Sequence, residues 1–104
     1  MKILKDHEGR AIRLTDERLA HILEHPEMQG MERRIEETVM RPEKVLESFS
    51  DARARLYYRF YMGTRVGDKH LCVAVKVVDN DAFVLTAYLV RQLAGGRQVW
   101  PKND

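Results

Sequence analysis

The sequence predicts an α+β fold, in which two N-terminal helices pack on one face of a four-stranded antiparallel β-meander. Apolar residues recur at helical spacing over residues 14–41, whereas from 44 to 91 they alternate with a period of two. Short turn-like connections separate the alternating segments, and such connections join neighbouring antiparallel strands. The length of 104 residues is close to the commonest size of a domain. We therefore expect one domain over 1–104, with 92–104 as a tail.

The composition is typical of a small globular protein, with 44% hydrophobic and 33% charged residues. The chain has no apolar run of the roughly 18 residues that a membrane span needs. Its first ten residues, "MKILKDHEGR", lack the apolar region of a signal peptide. We therefore expect no membrane association and a cytoplasmic location. The formal net charge of +2 permits a polyanionic partner but does not argue for one.

The N-terminal segment contains two element signals. Residues 1–13 hold two short apolar stretches around a turn that ends at Gly9, a pattern that predicts a small β-hairpin. Thr15 is a suitable N-cap for a first helix, because Asp16 and Glu17 follow it at the positive end of the helix dipole. Pro26 ends that helix.

A second helix is expected from about Met28 or Gly30 to Met40. Its apolar side carries Ile35 and Val39 at helical spacing, and the other side is charged. Pro42 stops it. After this proline the sequence predicts a short strand at 44–50 and three longer strands, which cover 56–62, 70–78 and 83–90.

The alternation in the three longer strands sorts their side chains into two sets, which face opposite sides of the sheet. The set expected to pack on the helices is almost wholly apolar: Leu56, Tyr58, Phe60, Met62, Leu71, Val73, Val75, Val77, Phe83, Leu85, Ala87 and Leu89. The other set is aromatic and cationic: Tyr57, Arg59, Tyr61, His70, Cys72, Ala74, Lys76, Val84, Thr86, Tyr88 and Val90.

Two interpretations of the second set remain open. One face of an antiparallel sheet can simply be solvated. However, this set has no acidic residue, and cations among aromatic rings are what RNA phosphates and unstacked bases require. The RNA-binding candidates are Tyr57, Tyr61, His70 and Tyr88, together with Arg65 beside them.

Familiar catalytic motifs are missing from the sequence, which has no nucleotide-binding glycine loop, nucleophile elbow or zinc-protease motif. His21 and His25 have a spacing suited to a metal, but no third ligand is evident, so we expect no metal and no cofactor. The single cysteine, Cys72, excludes an intramolecular disulfide, and its apolar surroundings favour a buried side chain over a nucleophile.

Metal-independent RNA cleavage is the chemistry that the residues permit. The 2′-hydroxyl of RNA is itself the nucleophile, so the protein needs to move protons and stabilise charge. His21 lies off the apolar stripe of the first helix, which makes it either a general base or acid or an ordinary exposed histidine. Lys76 and Arg59 are candidates to hold the phosphate, and Thr86 is a candidate hydrogen-bond donor.

The chain also resembles the phage- and mobile-element-associated branch of the barnase–EndoU–colicin–RelE (BECR) superfamily. The resemblance covers roughly residues 13–92 and rests on the order of five stretches: "RLTDERLAHILEHPEM", "IEETVMRPEKVLES", "LYYRFY", "GDKHLCVAVKV" and "DAFVLTAYLV". It implies two helices before a four-stranded antiparallel sheet, and an activity as a metal-independent ribonuclease. It also implies that His21, Lys76 and Thr86 match the family's helix histidine, strand base and strand hydroxyl, with Arg59 as a further phosphate-binding position.

Three functions follow as expectations. The first is an endoribonuclease acting on tRNA, mRNA or phage RNA, which as a toxin would need an antitoxin or immunity protein as partner. The second is a non-catalytic module that binds RNA or a protein on the same scaffold. The third is an accessory domain of a phage particle or of a longer polypeptide.

Overall fold

A computed structural model describes residues 1–102 and places two helices on one side of a seven-stranded sheet. The helices are α1 and α2, and a 3-10 turn at Pro26–Met28 lies between them. The elements in chain order are β1 Lys2–Lys5, β2 Ala11–Leu14, α1 Asp16–Leu23, α2 Glu32–Met40, β3 Lys44–Ser48, β4 Ala54–Thr64, β5 Gly67–Val78, β6 Asp81–Val90 and β7 Gly96–Trp100.

The α+β class fits, but the predicted four-stranded antiparallel meander is wrong. The strand order is β1-β2-β6-β5-β4-β3-β7, so the meander of β3 to β6 forms only the centre of a larger sheet. On one side β2 pairs with β6 in parallel, with Arg13 opposite Phe83, which makes the sheet mixed. On the other side β7 pairs antiparallel with β3. Both additions cover edges that would otherwise expose unpaired backbone groups.

The predicted tail contains the last strand. Gln98 of β7 lies opposite Leu46, although Gly95 and Gly96 and the short polar run after them gave no strand signal. The last two residues of the predicted tail, 103 and 104, lie outside the described range.

The N-terminal elements largely follow the sequence signals. β1 and β2 form an antiparallel hairpin, in which Gly9 adopts a φ of +82° that suits glycine. The hydroxyl of Thr15 accepts a hydrogen bond from the N–H of Arg18 and so caps α1. α2 begins at Glu32, later than the predicted start between 28 and 30. Gly30 has a φ of +79°, which is incompatible with a right-handed helix, so the helix begins only after it.

The larger core lies between the helices and the sheet. Ile22 of α1 and Ile35 of α2 are both buried in it, and β5 contributes the predicted alternate residues. The sheet residues of this core include Leu71, Val73 and Val75 of β5, Ala82, Val84 and Ala87 of β6, and Tyr57 of β4.

The predicted side-chain directions of β4 are wrong. Tyr57 lies opposite Val73 and therefore faces the helices, whereas Leu56 lies opposite Ala74 on the other side. Alternation could not decide the direction, because both sets of β4 residues are large and both contain tyrosine, which is acceptable on either side of the sheet. The deciding contact is between residues far apart in the sequence. The Tyr57 hydroxyl donates a hydrogen bond to Asp6 at 2.7 Å, so this polar group has a partner within the core.

The first half of β6 also differs from its predicted direction. The register between β5 and β6 shifts between Ala74 and Val75, so that Thr86 lies opposite Ala74 but Val84 lies opposite Val75. This irregularity accommodates Leu85 as an extra residue. It moves Val84 to the helix side and places Phe83 opposite Lys76 on the other side.

The side of the sheet away from the helices, called here the open face, has a smaller apolar cluster of its own. The buried members of this cluster are Leu46, Leu56, Tyr58, Cys72 and Ala74. The connection from β6 to β7 crosses this face, because three strands separate β6 from β7 in the sheet. Leu93 of that connection packs on the cluster, and the Ala94 N–H donates to the Tyr58 hydroxyl at 3.1 Å. The open face is therefore partly covered.

Within residues 1–102, neither helix has the length and apolar character needed to cross a membrane.

Candidate functional site

The sheet separates the residues that the sequence predicts as one surface. Those of β4 face the helices. Tyr57 lies opposite Val73 and Arg59 lies opposite Leu71, and both of these β5 residues belong to the core between the helices and the sheet. Those of β5 and β6 lie on the open face. The helix-side group is Tyr57, Arg59 and Tyr61, and the open-face group is His70, Lys76, Thr86 and Tyr88.

The helix-side group is engaged in packing against α2 and the N-terminal hairpin. Burial, helped by the hydrogen bond to Asp6, raises the pKa of Tyr57. Burial likewise raises the pKa of Tyr61 to about 12, and its hydroxyl donates to Glu37 at 2.6 Å. The Arg59 guanidinium donates to the Arg41 carbonyl at 2.8 Å, at the C-terminal end of α2. These contacts indicate structural roles.

His21 is exposed on α1, on the helix side of the sheet. Its imidazole lies 3.5 Å from the Glu24 carboxylate and its ring centroid is 6.3 Å from that of His25. No contact within residues 1–102 joins it to Lys76 or Thr86, so the structure does not assemble the predicted catalytic set. The same range holds no group of three His, Cys, Asp or Glu side chains suited to a metal ion.

Lys76 and Thr86 are neighbours at one end of the open face. Thr86 lies opposite Ala74, which places it diagonally next to Lys76 on the same side of the sheet. The Lys76 ammonium forms an ion pair with Asp51 of the loop between β3 and β4. The hydrogen bond from Lys76 lowers the pKa of Asp51, so this carboxylate remains charged at neutral pH.

His70 lies at the other end of the open face and lines a small cavity of about 110 Å³. Glu43, Lys44 and Tyr58 line the same cavity, and Leu93 of the crossing connection completes it. One oxygen of the Glu43 carboxylate accepts the Phe60 N–H at 2.8 Å, which orients the side chain. An imidazole, a carboxylate and an ammonium group thus line one cavity, and each of these groups can take part in general acid–base catalysis without a metal.

The sequence predicts only an RNA-binding role for His70 and gives no signal that Glu43 and Lys44 belong to a site. Both residues immediately follow Pro42, where the sequence shows only the start of a weak strand. Their place depends on the pairing of β3 with β4, which sets Lys44 opposite Tyr58. No local pattern signals that pairing.

Two aromatic side chains on the open face remain accessible. Phe60 is 40% exposed and its ring lies 5.0 Å from that of His70 in an edge-on arrangement. Tyr88 lies opposite Cys72 and is 38% exposed. Partial burial of the side chain raises the pKa of Tyr88 to about 12, so its hydroxyl remains protonated at neutral pH and can donate a hydrogen bond.

The two ends of the open face are far apart. His70 and Lys76 are six positions apart in β5, a separation of about 20 Å along an extended strand. They therefore cannot contact the same phosphate group. Tyr88 lies between these two ends, on the neighbouring strand. Arg65 lies in the turn between β4 and β5, exposed, at the His70 end of the hairpin.

Comparison with known proteins finds no matching family model, no matching curated protein and no matching solved structure. The resemblance to the BECR superfamily therefore remains an expectation from the sequence.

Proposed function

We propose that this protein is a metal-independent endoribonuclease, which binds single-stranded RNA along the open face and cleaves it in the cavity beside His70. The observation that carries the proposal is that Glu43, Lys44 and His70 line one cavity. Accessible aromatic rings lie next to it. A cytoplasmic location, and an antitoxin or immunity protein as partner, are parts of the same proposal.

The cavity residues divide the chemistry among themselves. Glu43 removes the proton from a 2′-hydroxyl, whose oxygen attacks the adjacent phosphorus. His70 protonates the departing 5′-oxygen, which yields a 2′,3′-cyclic phosphate and a free 5′-hydroxyl. Lys44 stabilises the additional negative charge of the phosphorane. His70 thus has the acid–base role that the sequence suggested for His21.

The remainder of the open face binds the strand on one side of the cleavage point. Phe60 and Tyr88 offer surfaces for base stacking, which does not require a particular sequence. Lys76 and Thr86 bind a more distant phosphate, where the RNA competes with Asp51 for the Lys76 ammonium. The separation of about 20 Å between the two ends suits a bound segment of several nucleotides.

The test is cleavage of a labelled RNA oligonucleotide in EDTA, beside a DNA oligonucleotide of the same sequence. We expect cleavage of the RNA alone, because only RNA has the attacking hydroxyl. His70→Ala and Glu43→Gln should each lower the rate by about 100-fold or more, the usual contribution of a general acid or base. Lys76→Ala should weaken binding and reduce its salt dependence, since one phosphate contact is lost.

His21→Ala is the matched control, because His21 is an exposed histidine on the other side of the sheet. It should cleave like the unmodified protein. Loss of cleavage in His21→Ala with normal cleavage in His70→Ala would contradict the assigned site. RNA binding without any cleavage would instead establish the non-catalytic RNA-binding function, and absence of both would refute an RNA role.

A further inference from the structure

A second cavity lies where the N-terminal hairpin meets the last strand. The turn between β1 and β2 contacts β4 and β7, although β1 and β7 are the two ends of the sheet. The hairpin turn and β7 therefore meet beside Tyr57 of β4. The cavity between them has a volume of about 200 Å³, and its polar and aromatic lining includes His7, Arg10, Arg55, Tyr57, Trp100 and Lys102.

Asp6 holds the hairpin turn in place. Its side chain is completely buried and accepts three hydrogen bonds, from the N–H of Glu8 at 2.9 Å, the N–H of Arg10 at 2.8 Å and the hydroxyl of Tyr57 at 2.7 Å. Oδ1 accepts the two backbone N–H groups and Oδ2 accepts the Tyr57 hydroxyl, so the protein itself uses three of the roughly four acceptor sites of this carboxylate. The neighbouring His7 is positioned by the same turn.

His7 is a buried side chain without a hydrogen-bond partner. Only 9% of it is exposed, and its ring centroid lies 4.5 Å from that of Trp100. Neither ring nitrogen forms a hydrogen bond within residues 1–102. The nearest carboxylate oxygens are 4.0 Å away on Asp6 and 3.8 Å away on Glu8.

This arrangement leaves a donor in need of an acceptor. A histidine carries at least one N–H in every protonation state. A buried N–H without an acceptor has lost its hydrogen bonds to water without replacement, which costs free energy. An oxygen atom of a ligand in the cavity would remove that cost.

The charge of the lining favours an anion. Three cations, Arg10, Arg55 and Lys102, line the cavity, against the single carboxylate of Glu8, whose side chain is 63% exposed. Arg10 lies 3.6 Å from Asp6, and Arg55 lies 3.5 Å from Glu47. Each arginine has further N–H groups to offer, because a guanidinium carries five.

We propose that this cavity binds a phosphate group, which accepts a hydrogen bond from His7 and is neutralised by Arg10, Arg55 and Lys102. The phosphate is either free inorganic phosphate or the 5′-terminal phosphate of an RNA. The site is on the helix side of the sheet, where Tyr57 and Val45 belong to the larger core. It is therefore separate from the open face and does not depend on the proposed ribonuclease activity.

Trp100 provides the readout, because it is the only tryptophan in the chain and its ring packs on His7. We expect inorganic phosphate, titrated at constant ionic strength against chloride, to change the Trp100 fluorescence with a saturable dependence. His7→Gln and Arg55→Gln should each weaken binding at least tenfold. Lys102→Ala, at an exposed residue whose loss leaves the fold intact, should weaken it severalfold.

Arg13→Gln is the control for general loss of positive charge, because Arg13 pairs with Asp81 outside this cavity. Its phosphate affinity should be unchanged. A fluorescence response that does not saturate, or that these four variants alter equally, would overturn the proposal.

The source of the phosphate is decided by two RNA oligonucleotides that differ only in a 5′-phosphate or a 5′-hydroxyl. If the 5′-phosphorylated RNA binds more tightly, the ligand is the 5′-terminal phosphate of an RNA. This preference should disappear in His7→Gln, and excess inorganic phosphate should also abolish it. Equal binding of the two RNAs identifies free phosphate as the ligand. Arg13→Gln, which leaves this cavity intact, should give the same results as the unmodified protein.

Discussion

Asp6→Ala should lower the free energy of unfolding by about 3–5 kcal/mol, because three hydrogen bonds to a charged group are lost and such bonds contribute about 1.5–3 kcal/mol each where water does not replace them. The substitution leaves the N–H groups of Glu8 and Arg10 and the hydroxyl of Tyr57 without an acceptor. Since the Tyr57 hydroxyl is buried in the core, water cannot readily replace the carboxylate. Urea denaturation followed by circular dichroism measures the loss.

Tyr57→Phe is the matched control for this prediction. It removes one hydrogen bond but leaves the backbone donors of the turn paired with Asp6, so we expect a loss of about 1–2 kcal/mol. Equal losses for the two variants would show that the turn does not depend on the carboxylate.

Gly96→Ala should be the second large effect, with a loss of about 1–3 kcal/mol, as expected when a closely packed site is overfilled. A Cβ atom at this position would lie 2.8 Å from the Glu47 carbonyl oxygen and 3.1 Å from the Cβ of Leu46. The Glu47 oxygen belongs to the backbone of β3, so the contact can be relieved only by moving β7 away from β3. Urea denaturation measures the loss, and weaker amide-exchange protection of β7 would locate it.

Gly95→Ala is the neighbouring control. Its Cβ would lie 3.2 Å from the ring of Phe49, which is 77% exposed and free to move. We therefore expect a change in stability within about 0.5 kcal/mol, the usual range for surface substitutions. Similar losses for the two glycine variants would contradict the steric explanation.

The helices and the central strands could be predicted because their signals are local. The Thr15 cap and the alternation of Leu71, Val73 and Val75 depend only on nearby residues, and the structure confirms both. The side-chain direction of β4 could not be predicted, because tyrosine is acceptable on either side of the sheet. Its direction is determined by Asp6, which lies 51 positions away from Tyr57 in the sequence.

The outer strands show a similar limit. β7 has little alternation of its own and is stabilised by pairing with β3, so its formation depends on a contact between distant segments. The parallel pairing of β2 with β6 is also non-local. A prediction based on short connections recovers neighbouring strands and misses such pairs.

The candidate site was predictable only in part. The placement of Lys76, Thr86, His70 and Tyr88 away from the helices follows from alternation in β5 and the second half of β6. The cavity beside His70 does not, because it needs Glu43 and Lys44 from β3 and Leu93 from the connection to β7. For the same reason, helical spacing alone could not show that His21 is separated from Lys76 by the sheet.

The most direct test of the central claim is to map the RNA contact by NMR, using ¹⁵N-labelled protein and a 2′-O-methyl RNA that cannot be cleaved. We predict chemical-shift changes at the backbone amides of the open-face strands, with the largest around His70, Thr86 and Tyr88, and little change along α1. Changes confined to α1 around His21, or no saturable change at all, would contradict the proposal that RNA binds on the open face.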